Sequence, residues 1–219
     1  MPDSYIFLSH PLSAATPGFG GKPVFKSTSK KSIASGDSCN QQLWELDNHG
    51  GTHIDVPHHF VDEGRAIDAY SAAEFVFNHI AYVEMSLEVD HLLGPTDFEQ
   101  VELSPDSDLL LINSGFEKWR ERETYWEHNP GVLPELADYL RAKCPKLRAI
   151  GFDFISLTGY QNRPIGRTAH QAFLSGTTPI CIIEDMSFRG LTKPPKQVII
   201  SPLRVIHADG APCTVFAKL

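Results

Sequence analysis

Apolar residues along this chain recur mostly in short runs bounded by Gly, Pro, Asn or Asp, the pattern of strands rather than of long amphipathic helices. The runs predict strands over 5–9, 42–48, 52–56, 79–85, 109–113, 148–152, 179–184, 197–206 and 213–218. Helical spacing is confined to two segments. Leu133, Leu136, Ala137 and Leu140 share one face across 131–143, with Pro145 just beyond. A second helix is expected over 165–174, with Gly176 as its stop. A third, short helix should begin at Thr96, where Thr96 and Glu99 have the spacing of a capping box. Residues 10–40 are rich in Pro, Gly, Ser and Lys and read as a long irregular arm. Strands outnumber helices and alternate with them in the second half. The expectation is therefore an α/β protein, one domain over residues 1–219 around a mixed β-sheet with flanking helices.

Charge and composition narrow the function. The 219 residues carry a formal net charge of −8, which excludes a nucleic-acid backbone as partner, because phosphate binding needs a basic face. No apolar run approaches the roughly 20 residues of a spanning helix, so no membrane span is expected. The start, Met1-Pro2-Asp3-Ser4-Tyr5, lacks the basic opening of a secretory leader. Cys39, Cys144, Cys181 and Cys213 form no C-x-x-C pair and read as reduced thiols of a cytoplasmic protein. A nucleophilic cysteine is the competing reading, and no local signature supports it.

The chemistry concentrates in His49-Gly50-Gly51-Thr52-His53-Ile54-Asp55-Val56-Pro57-His58-His59-Phe60. Imidazole nitrogens and a carboxylate converging on one point make a divalent-cation site. A helix would align His49 with His53 but carry Asp55 and His59 away, and Gly50, Gly51 and Pro57 oppose it. In an extended chain, positions 49, 53, 55 and 59 face one way, while Thr52, Ile54 and Val56 pack on the sheet. That reading selects His59 over His58. His49, His53 and Asp55 then hold a metal with an open position, the mark of a catalytic site. Water bound there has its pKa lowered toward roughly 7 and supplies hydroxide at neutral pH, with His59 as acid/base. The bland alternative is a chance cluster of structural or surface histidines.

The segment fits H-x-G-T-H-x-D-x-P-x-H-F, and on it the chain resembles the putative cyclase family, which includes bacterial kynurenine formamidases and isatin hydrolases. Leu8-Ser9-His10-Pro11-Leu12-Ser13 is similar to the family's opening strand. Ile112-Asn113-Ser114-Gly115 with Trp119 is similar to a later strand end, and 151–185 to the C-terminal half. The resemblance implies a swivelling β/β/α fold with a barrel-like core. It implies Zn²⁺ or Mn²⁺, one or two per chain, on His49, His53 and Asp55, with His170 and Glu184 at a second metal position or as nearby polar contacts. It also implies homo-oligomers, dimers or tetramers, in which the arm reaches a neighbour's site. Phe19 and Phe25 stand where formamidases carry a Trp over the aryl substrate. Arg163 or Arg167 is either a partner for a substrate carboxylate or a surface charge. Asp185 is expected to be structural.

The resulting expectation is a metal-dependent hydrolase cleaving a C–N amide bond of a small molecule, either a formamide or a cyclic amide. A lactonase or dehydratase on the same residues is the enzymatic alternative. A non-catalytic binder of metal or small acid, or a closed structural metal site, is the alternative outside catalysis.

Overall fold

In the computed structural model, which describes residues 4–219, the apolar run at 109–113 becomes strand Leu109–Asn113, whose side chains divide by parity. Leu109 and Leu111 enter one core, Leu110 and Ile112 another. The division repeats on neighbouring strands because successive side chains point to opposite faces of a sheet. Ala149 and Ile183 join the first core, while Ile150, Phe152 and Ile182 join the second.

Thirteen strands are found among the described residues. They are β1 (Tyr5–Phe7), β2 (Phe25–Lys31), β3 (Gln41–Leu46), β4 (His53–Asp55), β5 (Val76–Phe77), β6 (Ile80–Glu84), β7 (Leu92–Leu93), β8 (Leu109–Asn113), β9 (Gly131–Val132), β10 (Ala149–Phe152), β11 (Cys181–Glu184), β12 (Gln197–Pro202) and β13 (Gly210–Lys218). The helices are α1 (Glu123–Glu127), α2 (Glu135–Lys143) and α3 (Arg163–Leu174). The main sheet runs β5-β12-β13-β4-β11-β10-β8-β6, with β1 added to β13. β6, β8, β10 and β11 are parallel, and the remaining pairs are antiparallel. Its two end strands, β5 and β6, are separated in sequence only by Asn78 and His79, so the sheet curls into a nearly closed barrel. Ile54, Leu111, Ile183, Val198 and Val215 fill its interior. α2 and α3 cover the outer face through Leu136, Leu140, Ala169 and Phe173. The mixed α/β expectation and the barrel-like core both hold.

Local differences have local causes. The arm at 10–40 is not irregular throughout: β2 pairs with β3 as an exposed hairpin. Lys26-Ser27-Thr28-Ser29-Lys30-Lys31 is polar on both faces, so no alternation betrays it. The helix expected over 131–143 starts only at Glu135, and Gly131–Val132 pairs with β7. Pro134 explains this, because the residue before a proline is pushed toward extended backbone. The box expected at Thr96 lies two residues earlier: Gly94 is the cap, and its N–H donates to Asp97 Oδ2 at 2.8 Å. Pro95, with φ already fixed, opens the turn Pro95–Phe98. α3 starts at Arg163 rather than 165, with Pro164 in its first turn, and the strand expected to 206 ends at Pro202. Among the described residues no helix is long and apolar enough to cross a membrane. The leader reading concerned Met1, Pro2 and Asp3 as well, which lie outside the described residues.

Candidate metal centre

β4 is short, but its parity sets the site. Ile54 points into the barrel, so His53 and Asp55 point to the outer face, under α3. There β11 runs antiparallel beside β4, with Glu184 in register with His53. The helix contributes His170 from its buried side. The extended conformation expected from 49 to 59 holds only over β4, and this is a correction. His49 is delivered by a turn through Asp47–Gly50, and His59 by the 3-10 turn Pro57–His59. Gly51 has φ of +68° and an added Cβ would lie 2.5 Å from Leu12 Cδ2, so the turn into β4 requires glycine. His58 takes no part in the cluster, and its Nδ1 is buried without a hydrogen-bond partner among the described residues.

Two layers result. In the inner layer His53 Nε2 lies 3.4 Å from both Asp55 Oδ1 and Glu184 Oε2. His170 Nε2 lies 3.6 Å from Asp55 Oδ2 and 3.5 Å from Glu184 Oε1. All four side chains are 5% exposed or less. Burying two carboxylates and two imidazoles costs several kcal/mol per charge unless something compensates. The donor geometry indicates what does. His53 Nδ1–H donates to the Gly51 carbonyl at 2.8 Å, and His170 Nδ1–H to the Gly166 carbonyl at 2.9 Å. Both Nε2 atoms are thereby turned toward the carboxylates, the arrangement that orients metal-binding histidines. Two ligands each about 2.1 Å from a tetrahedral ion stand about 3.4 Å apart, longer than a good hydrogen bond. The spacings of His53, Asp55 and Glu184 match that figure, so these three fit a divalent cation, and His49, Asp55 and His59 form a second group whose ligand atoms lie close enough to share one. Glu184 is itself fixed by the Leu157 N–H at 2.7 Å and the Ser156 hydroxyl at 3.2 Å.

The outer layer is wetter. His49 Nδ1 lies 2.8 Å from Asp55 Oδ1, and its Nε2 lies 3.0 Å from Asp209 Oδ2. The same Asp209 oxygen accepts from His59 Nδ1 at 2.7 Å. The His49 and His59 rings stack at 4.0 Å. Asp209 was not anticipated. It lies 150 residues from His59, and Asp209-Gly210 reads only as a turn before a strand. Ser156 and Leu157 were missed for the same reason.

Charge follows the layering. Burial opposes protonation of His53, but Asp55 and Glu184 outweigh it and hold its pKa at about 9; the same balance holds His170 at about 10. Burial alone would raise Asp55, yet the surrounding histidines hold it well below the usual carboxylate range. His59 behaves oppositely: burial dominates and lowers its pKa, despite Asp209.

The cluster floors a cavity of about 470 Å³. Phe19, Arg163 and Arg167 line it, while Phe25 does not: Phe25 faces a second cavity with Trp44 and Leu46, which corrects its expected substrate role. Asp185 touches the cavity, but its carboxylate is held by Arg120 at 2.8 and 2.7 Å and by the Tyr125 hydroxyl, as expected of a structural residue. No cysteine lines this cavity, and burial pushes the Cys181 thiol up to about 11.

The chain is similar to known proteins along nearly its whole length. The kynurenine formamidase of Geobacillus thermodenitrificans is 25% identical over 217 residues, covering 97% of this chain and 96% of that protein. That of Bacillus cereus is 26% identical over 208 residues, covering 95% and 94%. Isatin hydrolase A from Labrenzia aggregata, solved with benzyl benzoate, shares the fold with a TM-score of 0.80 at 20% identity, over 99% of this chain and 94% of that one. A predicted metal-dependent hydrolase from Bacillus stearothermophilus superposes with a TM-score of 0.75 at 20% identity, over 100% of this chain and 99% of that one. The family model described as "Putative cyclase" matches residues 6–158, and the chain belongs to that family.

Proposed function

We propose that this protein is a metal-dependent hydrolase that cleaves a C–N amide bond in a small molecule, an aryl formamide or a cyclic amide. The observation that carries the reading is the buried trio His53, Asp55 and Glu184, whose ligand atoms come together at the floor of a cavity and leave a coordination position open, with His170 Nε2 3.5–3.6 Å from the other oxygens of the two carboxylates. A divalent cation held there, with His49 beside Asp55, supplies Lewis-acid polarisation of a carbonyl and lowers the pKa of water. We assign it as zinc or manganese, one or two ions per chain, because imidazole and carboxylate suit both.

His59 is the proton-transfer residue. Its lowered pKa leaves the imidazole neutral near pH 7. Asp209 accepts its Nδ1–H, which leaves Nε2 as the free base. His59 takes a proton from the attacking water and returns it to the leaving nitrogen, with Asp209 holding the ring as a triad carboxylate does. The full-length likeness to kynurenine formamidases supports the C–N bond as the target. The four free cysteines support a reducing, cytoplasmic setting. Exposed Leu43 and Trp44 on the hairpin, with Leu203 flanking the same second cavity, support a homo-oligomer.

The test is metal analysis of the purified protein, followed by a hydrolysis screen of formamides, lactams and lactones before and after chelation. Formamide or lactam hydrolysis should disappear with the metal and return with zinc or manganese. Turnover that survives complete chelation would refute the metal-dependent reading, and turnover of lactones alone would replace the amide by an ester.

A further inference from the structure

The cavity wall carries cations that the chemistry above does not use. Arg163, Arg167 and His170 stand at i, i+4 and i+7 of α3, so they form one stripe on the helix. His170 is at the buried end, in the metal cluster; the two arginines continue roughly one and two turns toward the mouth, about 5 and 10 Å along the axis. Lys22 joins them from the arm. Arg167 and Lys22 have no hydrogen-bond or ion-pair partner among the described residues. Arg163 is held differently: its guanidinium stacks 4.1 Å over the Tyr160 ring and 5.9 Å from Phe19, and Phe19 packs edge-on against Tyr160 at 5.2 Å. Stacking uses the flat face of the guanidinium and leaves its edge donors free for a forked contact with a carboxylate.

Among the described residues no carboxylate of the wall forms an ion pair with Lys22, Arg163 or Arg167. Asp185 is committed to Arg120 and Tyr125, and Asp47 accepts the His49 N–H. The placement also opposes local preference. α3 has no acidic residue in its first turn and begins instead with an arginine, at the end of the helix that favours negative charge. In a chain of net charge −8, Lys22, Arg163 and Arg167 thus stand together as a cationic wall of a cavity whose floor carries the carboxylates.

We infer that Arg163 and Arg167 bind a carboxylate on the substrate, so that the preferred amide carries an anionic group about one to two helical turns from the bond that breaks. This rests on the amide-hydrolase reading above, and it adds a substrate class: N-acylated or cyclic amides of carboxylic acids rather than neutral amides. Both arginines act on specificity; neither takes part in bond cleavage.

The test uses the metal-loaded protein and a matched pair, 4-formamidobenzoate and its neutral isostere 4-formamidobenzamide. Wild type should prefer the anion by about tenfold or more in kcat/KM, as an extra charge-assisted contact gives. In the double variant R163Q/R167Q the preference should fall to near unity, because kcat/KM for the anion drops far more than that for the neutral substrate. Equal kcat/KM for the pair in wild type, or equal loss on both substrates in the variant, would overturn the inference while leaving the hydrolase reading intact. Calorimetric binding of 4-methylbenzoate against 4-methylbenzamide gives a readout free of turnover. Benzoate binding weakened tenfold or more in the variant would uphold the anion site even in a protein that cleaves neither formamide, where only the formamide reading of the substrate would fall. Benzoate binding that the variant leaves unchanged would place the carboxylate on the metal and sink the inference.

Discussion

The inner and outer layers of the site use the same side-chain types for different purposes. His53 and His170 are almost fully buried, are locked by backbone carbonyls, and stand on a strand and a helix. His49 and His59 are about a quarter exposed, stand on turns, and share one aspartate. Carboxylates in a dry setting drive the inner imidazoles to pKa values of about 9 and 10, whereas burial wins at His59 and keeps it low. A histidine that must hold a cation is set among carboxylates. One that must exchange a proton is left nearer water, with its pKa lowered so that the ring is ready to accept one.

The largest effect should follow from breaking the inner layer. Asp55→Asn should reduce metal content, read by elemental analysis, to under about a tenth of wild type, with activity falling at least about a thousandfold, because Asp55 faces three histidines. His59→Ala should spare the metal and lower kcat by about 10²–10⁴. If it strips the metal instead, the two layers are not separate in function. Asp209→Asn should cost about tenfold in kcat and also move the pH profile. Asp209 raises the pKa of His59, so its removal lowers that pKa further and shifts the acid limb of kcat/KM to lower pH. A shift to higher pH would contradict the assignment of His59 as base. Phe25→Ala should change kcat/KM less than about twofold for a monomeric site, since Phe25 lines the other cavity.

The inner layer was only half legible in the sequence. Ile54 between His53 and Asp55 gave the strand parity away, because alternation is local. His49 and His59 were correctly grouped with them, but by the wrong geometry: turns at Gly50-Gly51 and Pro57, not an extended chain, bring them in. His170 and Glu184 came from family likeness, since nothing in their own neighbourhoods marks a ligand. Asp209 escaped because its partner is set by sheet closure, which brings β13 beside β4. The exposed hairpin escaped because its pairing rests on backbone hydrogen bonds, with no apolar face to leave a pattern.

Anomalous diffraction from crystals of the protein grown with zinc or manganese, recorded at the metal's absorption edge, tests the two-layer assignment most directly. The prediction is a peak about 2.0–2.3 Å from His53 Nε2 and from oxygens of Asp55 and Glu184, with His59 outside coordination distance. A peak bound by His59 and Asp209, with none between β4 and α3, would contradict it.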